Sequence, residues 1–222
     1  MREEMKRRAA RAAVERVDDG AVVGLGSGST AAHAIRALGE RVADGIDLVG
    51  IPTSYQAADL AREVGVPVRT PADVDGIDVA IDGADQVANG VLIKGGGGAH
   101  AREKVIDAAA STFLVVVDES KMTDTLDHSV PLEVLPDARG PVAARVTEIG
   151  GQPTVRQAGG RPFVTDNGNH VLDADFGTIT DPAFLDNQLA NIPGILAHGI
   201  FVDLADTVFV GRADDVAVHP VR

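Results

Sequence analysis

Ala21-Val22-Val23-Gly24-Leu25-Gly26-Ser27-Gly28-Ser29-Thr30 begins as an apolar run and then breaks into glycines and hydroxyls. Ala31–Val42 follows with a helical pattern. A short apolar run bounded by turn residues and followed by a helix is the unit of a parallel sheet covered by helices. The pattern repeats outward. Strands are predicted over Asp47–Ile51, Val66–Arg69, Ile77–Ile81 and Thr112–Val117, with helices over Ser54–Val64 and about Ala101–Ala110. Upstream, Met5, Ala9, Ala13 and Val17 recur at helical spacing and mark an amphipathic opening helix. The first half therefore reads as α/β, with a mostly parallel, Rossmann-like sheet.

From about Met122 the texture changes. Pro131–Leu135, Pro153–Arg156, Pro162–Thr165 and His170–Asp173 read as short strands, and Pro141–Ile149 as a helix. Asp181-Pro182, a capping residue followed by proline, starts another helix that runs to Asn191. This order predicts a small α+β domain of ferredoxin-like type over 126–200. The strand-like tail, Ile200–Val202 and Val208–Val210, would return to the first sheet, so the larger domain would comprise 1–125 plus 201–222.

The 222 residues contain no cysteine, which excludes disulfides, thiolate metal sites and cysteine nucleophiles. Aromatics are 3% and the formal net charge is -13, so stacking platforms and polyanion binding are disfavoured, and no nucleic-acid partner is expected. The acidity comes from 24 Asp against 9 Glu, while 16 Arg outnumber 4 Lys. Glutamate and lysine are depleted together, a balance suited to a salt-rich cytoplasm. Three of the four lysines, Lys94, Lys104 and Lys121, fall between 94 and 121, where a compact ammonium serves better than a planar fork. The charged N-terminus is unlike a signal peptide and no apolar run spans a membrane, so a cytoplasmic protein is expected.

Four segments follow predicted strands or lead into helices, where open α/β sheets place their ligands. Ser27, Gly28, Ser29 and Thr30 offer N–H groups and hydroxyls at a helix start, a phosphate-binding arrangement. The loop is not a Walker A motif, and it fits only the looser GxGxxA. No acidic residue ends the second strand, so a nicotinamide cofactor is disfavoured. Asp82-Gly83-Ala84-Asp85 puts two carboxylates in one turn, able to accept from vicinal hydroxyls or to bind a metal. An Asx-turn with solvated aspartates is the plainer alternative.

The third segment is Lys94-Gly95-Gly96-Gly97-Gly98-Ala99-His100-Ala101-Arg102-Glu103-Lys104. Four glycines expose bare N–H groups that can cradle an anion or oxyanion. Lys94 can neutralise a developing oxyanion. Glu103 falls in the first turns of a helix, where the macrodipole favours a carboxylate. The plainer readings are an exposed loop lysine and a solvated glutamate paired with Arg102 or Lys104. The fourth segment, Asp118-Glu119-Ser120-Lys121, carries a further candidate cation, Lys121. The histidines show no metal-ligand spacing. Together the segments suit proton transfer on a phosphorylated polyol, and with no convincing redox motif no cofactor is expected.

In combination and order, GLGSGST at 24–30, DGADQ at 82–86, KGGGGAHAREK at 94–104, DESK at 118–121, VTDNGN at 164–169 and IPGI at 192–195 closely resemble ribose-5-phosphate isomerase, type A. The resemblance covers essentially the whole chain. It implies a metal-free intramolecular oxidoreductase, a homodimer or homotetramer, that interconverts D-ribose 5-phosphate and D-ribulose 5-phosphate in the pentose phosphate pathway. It also implies Glu103 as the base, with Lys94, Asp82 and Asp85 as the other catalytic groups. Substrate binding would fall to Ser27–Thr30, Asp82–Asp85, Lys94–Gly97 and Lys121. Gln86, where the family commonly has glutamate, and Gly98, His100 and Ala101 depart from its pattern. The alternatives are a related amino-sugar-phosphate deaminase-like enzyme and a non-catalytic sugar-phosphate sensor. KGGGG with Glu103 favours the isomerase, and a single helix leading straight into the sheet disfavours a sensor fused to a DNA-binding module.

Overall fold

The computed structural model describes residues 1–222 and divides them into two compact units. In chain order the helices are α1 (Arg2–Val14), α2 (Gly28–Ala43), α3 (Tyr55–Glu63), α4 (His100–Ala109), α5 (Arg139–Glu148) and α6 (Pro182–Ala190). The strands of the first half are β1 (Ala21–Leu25), β2 (Leu48–Pro52), β3 (Ile77–Asp82), β4 (Gln86–Ala88), β5 (Val91–Ile93) and β6 (Ala110–Asp118). Those of the second half are β7 (Val130–Val134), β8 (Gln152–Val155), β9 (Gln157–Ala158), β10 (Arg161–Pro162) and β11 (His170–Asp175). The chain closes with β12 (Ile195–His198), β13 (Ile200–Phe201), β14 (Thr207–Gly211) and β15 (Val216–Pro220).

The first unit comprises 1–84, 102–122 and 204–222. Its sheet runs β15-β14-β6-β3-β1-β2, parallel from β14 to β2, with β15 antiparallel at the edge. Successive strand residues face opposite sides, and the packing follows that alternation. Ala21, Val23 and Leu25 join the large cluster with Ala9, Ala13 and Leu38, under α1 and α2. Val22 and Ile51 belong to a second cluster with Ile106 of α4. Helices thus cover both faces, as the apolar runs predict. Of the tail, Val208–Val210 returns as expected, β14 pairing with β6 and Val208 lying opposite Val115, whereas Ile200–Phe201 does not: it pairs with β5 in a small sheet of the second unit.

Two local expectations need correction. Val66–Arg69 forms no strand: it makes one parallel bridge, Gly50 with Val68, because Val66 is spent capping the end of α3 through its N–H to Ala61 O. Helix α2 starts at Gly28 rather than Ala31, so Gly28, Ser29 and Thr30 form its first turn.

The second unit comprises 85–101 and 123–203. Its four-stranded antiparallel sheet runs β12-β7-β11-β8, and α5 and α6 pack on it over Leu132, Val134, Val146, Leu172 and Leu189. Pro162–Thr165 is mostly irregular: Arg161–Pro162 pair with β9, and Val164 makes a single bridge to His170. A small sheet, β13-β5-β4, brings Phe201 opposite Leu92. The β4–β5 turn is Asn89-Gly90, both at positive φ, the primed turn that this dipeptide encodes. This sheet holds the glycine segment within the second unit.

Candidate functional site

In the first unit the loop after β1 is built around Asp82, the last residue of β3. Asp82 is fully buried, and its Oδ1 accepts from Ser27 N at 3.0 Å and Gly83 N at 2.7 Å. Gly26 is glycine for a steric reason: a Cβ there would enter the Asp82 carboxylate and lie 2.6 Å from Asp82 Cα. Ser27 has extended φ and ψ, and its hydroxyl joins Thr53 Oγ1 at 2.8 Å and Ser54 Oγ at 2.7 Å, tying the loop after β1 to that after β2. Ser54 also caps α3 through Ala57 N. Ser27 is thus committed to the scaffold through both its N–H and its hydroxyl.

Gly28, Ser29 and Thr30 present the first turn of α2, which carries no acidic residue. Gly28 turns the chain at φ 87° in open space. The fourth lysine, Lys6 of α1, donates to Ser29 Oγ at 2.9 Å with its side chain only 12% exposed. Nothing in the local sequence pattern separates Lys6 from an ordinary helix-surface lysine. Its other partner is Glu3 at 2.7 Å, whose carboxyl is held below the usual range by the Lys6 hydrogen bond first and then by His33.

Glu103 lies in the first turn of α4 and is 5% exposed, which removes the reading of a solvated face. Asp107, one turn further on, is also buried. Arg102 stacks on Tyr55, with its guanidinium 4.6 Å from the ring centroid. Asp118 ends β6, buried, and accepts from Ser120 N at 3.1 Å and from the Ser120 hydroxyl. Arg2 stands 3.4 Å from it. Lys121 follows, half-buried, at the end of a short 3-10 turn.

In the second unit, Lys94 follows β5 and is 2% exposed, so it is no loop-surface lysine. Its N–H donates to Gly199 O at 2.8 Å, and its ammonium lies 5.5 Å from the Phe201 ring centroid. The four glycines that follow have different reasons to be glycine. Gly95 (φ 104°) packs on His100, and a Cβ would stand 2.6 Å from His100 Nδ1. A Cβ on Gly96 would lie 2.7 Å from Asp85 Oδ1. Gly98 (φ 78°) lies against the Phe163 ring, where a Cβ would be 2.8 Å from Cζ. Gly97 has an ordinary φ and open space around it, so nothing within the chain demands a glycine there. Asp85 accepts from Gly96 N at 2.7 Å and so holds the loop.

Two departures from the family pattern find physical reasons here. Gly98 makes room for Phe163. Gln86 donates to Asp127 Oδ1 at 2.6 Å and accepts from the N–H groups of Asp127 and His128, both at 2.9 Å. A glutamate accepts from both N–H groups but cannot donate to Asp127.

The description "Ribose 5-phosphate isomerase A (phosphoriboisomerase A)" belongs to the family model that matches residues 49–215. The chain is 57% identical to the ribose-5-phosphate isomerase A of Natronomonas pharaonis, covering 98% of this chain and 97% of that one. It is 48% identical to that of Thermosynechococcus vestitus, covering 96% of this chain and 93% of that one. Among solved structures, the ribose 5-phosphate isomerase A of Methanocaldococcus jannaschii superposes with a TM-score of 0.94 at 41% identity, covering 98% of this chain and 99% of that one. A D-ribose-5-phosphate isomerase in complex with phospho-erythronic acid reaches 0.97 at 43% identity, covering 99% of each. With half or more of its length matched by the family model and nearly all of it by these relatives, the chain belongs to the ribose 5-phosphate isomerase A family.

Proposed function

We propose that this protein interconverts D-ribose 5-phosphate and D-ribulose 5-phosphate, with Glu103 as the base and Lys94 as the principal cation. The observation that supports this most directly is the burial of those two charges, 5% and 2% exposed. Taking a carboxylate or ammonium out of water costs several kcal/mol unless it is well partnered. Burial also places each where its field is strong, which is what proton abstraction next to a carbonyl needs.

The furanose opens first, with one of Asp82 and Asp85 moving a hydroxyl proton. Glu103 then takes the proton from C2. The C–H electron pair becomes the C1–C2 double bond, and the carbonyl pair becomes negative charge on an enediolate oxygen. Lys94 and the N–H groups of Gly95–Gly97 hold that charge. A proton passes between the two enediolate oxygens, Glu103 returns its proton to C1, and C2 becomes the ketone carbonyl. General-base and oxyanion contributions of about 3–5 kcal/mol each are in the ordinary range. We place the phosphate at Gly28, Ser29 and Thr30 beside Lys6, with Lys121 as a further cation. Ser27 supports that loop rather than binding through its hydroxyl.

Conversion of ribose 5-phosphate, followed for wild type and Glu103→Gln, tests the assignment. Turnover should fall about 10²–10⁴-fold, with KM little changed. EDTA should leave the wild type unaffected. A Glu103→Gln variant with full activity rejects Glu103 as the base. A folded wild type without isomerase activity in molar salt rejects the reaction.

A further inference from the structure

We propose that Arg156 is a positioning residue that fixes the peptide planes of the glycine loop, and so aims the Gly97 N–H. The inference rests on the reading of that loop as the enediolate holder.

Arg156 lies between β8 and β9, with its side chain 16% exposed. Its Nη1 donates to Gly95 O at 2.9 Å and to Gly96 O at 3.0 Å. Its Nε donates to Asp173 Oδ2 at 2.9 Å, and its Nη2 pairs with Asp173 Oδ1. Asp173 sits in β11, between β7 and β8. The Phe163 ring lies 5.8 Å from the guanidinium carbon. The same ring fills the space that a Cβ on Gly98 would take. The guanidinium is therefore held by a two-oxygen fork from the middle of a sheet and by an aromatic ring, leaving its Nη1 for two loop carbonyls.

Those carbonyls determine where the loop's donors point. A trans peptide places its C=O and N–H on opposite sides. The Gly95 carbonyl shares a peptide with the Gly96 N–H, which donates to Asp85. That unit is pinned at both ends. The Gly96 carbonyl shares a peptide with the Gly97 N–H. This unit is pinned by Arg156 at its carbonyl end, and its N–H points away from the guanidinium, at an exposed residue whose Cβ position is open. Glycines offer no side chain to resist rotation of a peptide plane. The Gly98 N–H closes the turn on Gly95 O at 2.9 Å, but that bond does not hold the central Gly96–Gly97 peptide; without Arg156 this plane can flip, and a donor for the oxyanion has to be ordered again in each turnover. A cation on the carbonyl also polarises the peptide and strengthens its N–H as a donor. The arrangement needs a planar fork with several fixed donors, which an ammonium does not provide.

The test is steady-state kinetics of Arg156→Ala and Arg156→Lys in molar KCl, with thermal midpoints measured alongside. Arg156→Ala should lose about 10²-fold in kcat, the scale of one oxyanion donor, with KM within about threefold. Guanidinium at about 20 mM should restore part of that kcat, while equal NaCl or urea should not. Arg156→Lys should recover only a small part of the loss. If Arg156→Ala fails to fold, Arg156→Lys decides: a kcat at least about tenfold down at an unchanged midpoint supports the inference, and a kcat within about twofold of wild type overturns it. Wild-type kcat in Arg156→Ala, or a loss that tracks a lowered midpoint with no guanidinium rescue, also overturns it. Absence of activity in the wild type instead rejects the isomerase reading on which it rests.

Discussion

Gln86 shows how one atom decides a local network. Its amide donates to the Asp127 carboxylate and accepts two backbone N–H groups, a combination open to an amide but not to a carboxylate. Gln86→Glu should therefore cost about 1–2 kcal/mol at neutral pH, from a lost charge-assisted bond and a new like-charge contact. The cost should fade below about pH 4, where a glutamate is largely protonated. Denaturant midpoints at pH 7 and pH 4 check this, and an equal loss at both pH values rejects the electrostatic explanation. The four glycines make the complementary point. Sequence assigns them one purpose, and the structure divides it: Gly95 and Gly98 supply positive φ beside His100 and Phe163, Gly96 clears Asp85, and Gly97 alone opens onto space. No local pattern distinguishes these cases, because each depends on a neighbour distant in sequence or on the turn that brings it near.

At the level of elements, the strand-and-helix alternation was legible because burial on both faces leaves unbroken apolar runs such as Phe113–Val117. Strand β15 is not legible because its apolar run, Val216–Val218, is only three residues long and lies half-buried to exposed at a sheet edge. Helix α2 starts three residues before the periodicity predicts, because Gly28 and Ser29 have loop-like chemistry while occupying a helical turn. That turn carries the phosphate proposal. Lys6 approaches it from α1, an element with no loop motif of its own. Lys6→Met should raise KM for ribose 5-phosphate about tenfold, as for a lost charge-assisted bond, with kcat nearly unchanged. The contrast with Glu103→Gln, which should lower kcat, separates binding from chemistry. An unaltered KM removes Lys6 from the phosphate site.

For the whole molecule, a net charge of -13 makes carboxylate self-repulsion a term in stability that salt can screen. The Debye length falls from about 10 Å at 0.1 M to about 3 Å at 1 M, so carboxylate repulsion is largely removed in molar KCl. The thermal midpoint should rise between 0.1 M and about 2 M KCl. A flat or falling midpoint rejects the view of the acidic surface as a salt adaptation. By itself the sequence determined the α/β class, the return of Val208–Val210 to the first sheet, the family, and the residues to ask about. Those properties are written in local periodicity and in short motifs whose order is specific. Only the tertiary structure decided the burial of Lys94 and Glu103, the burial of Asp82 beneath Gly26, and the partnership of Lys6 with Ser29. Only it showed the glycine loop joined to the small sheet through Phe201 and Gly199, and Arg156 on the loop carbonyls. Each of those is a contact between residues far apart in the chain, made by packing that no short window of sequence contains.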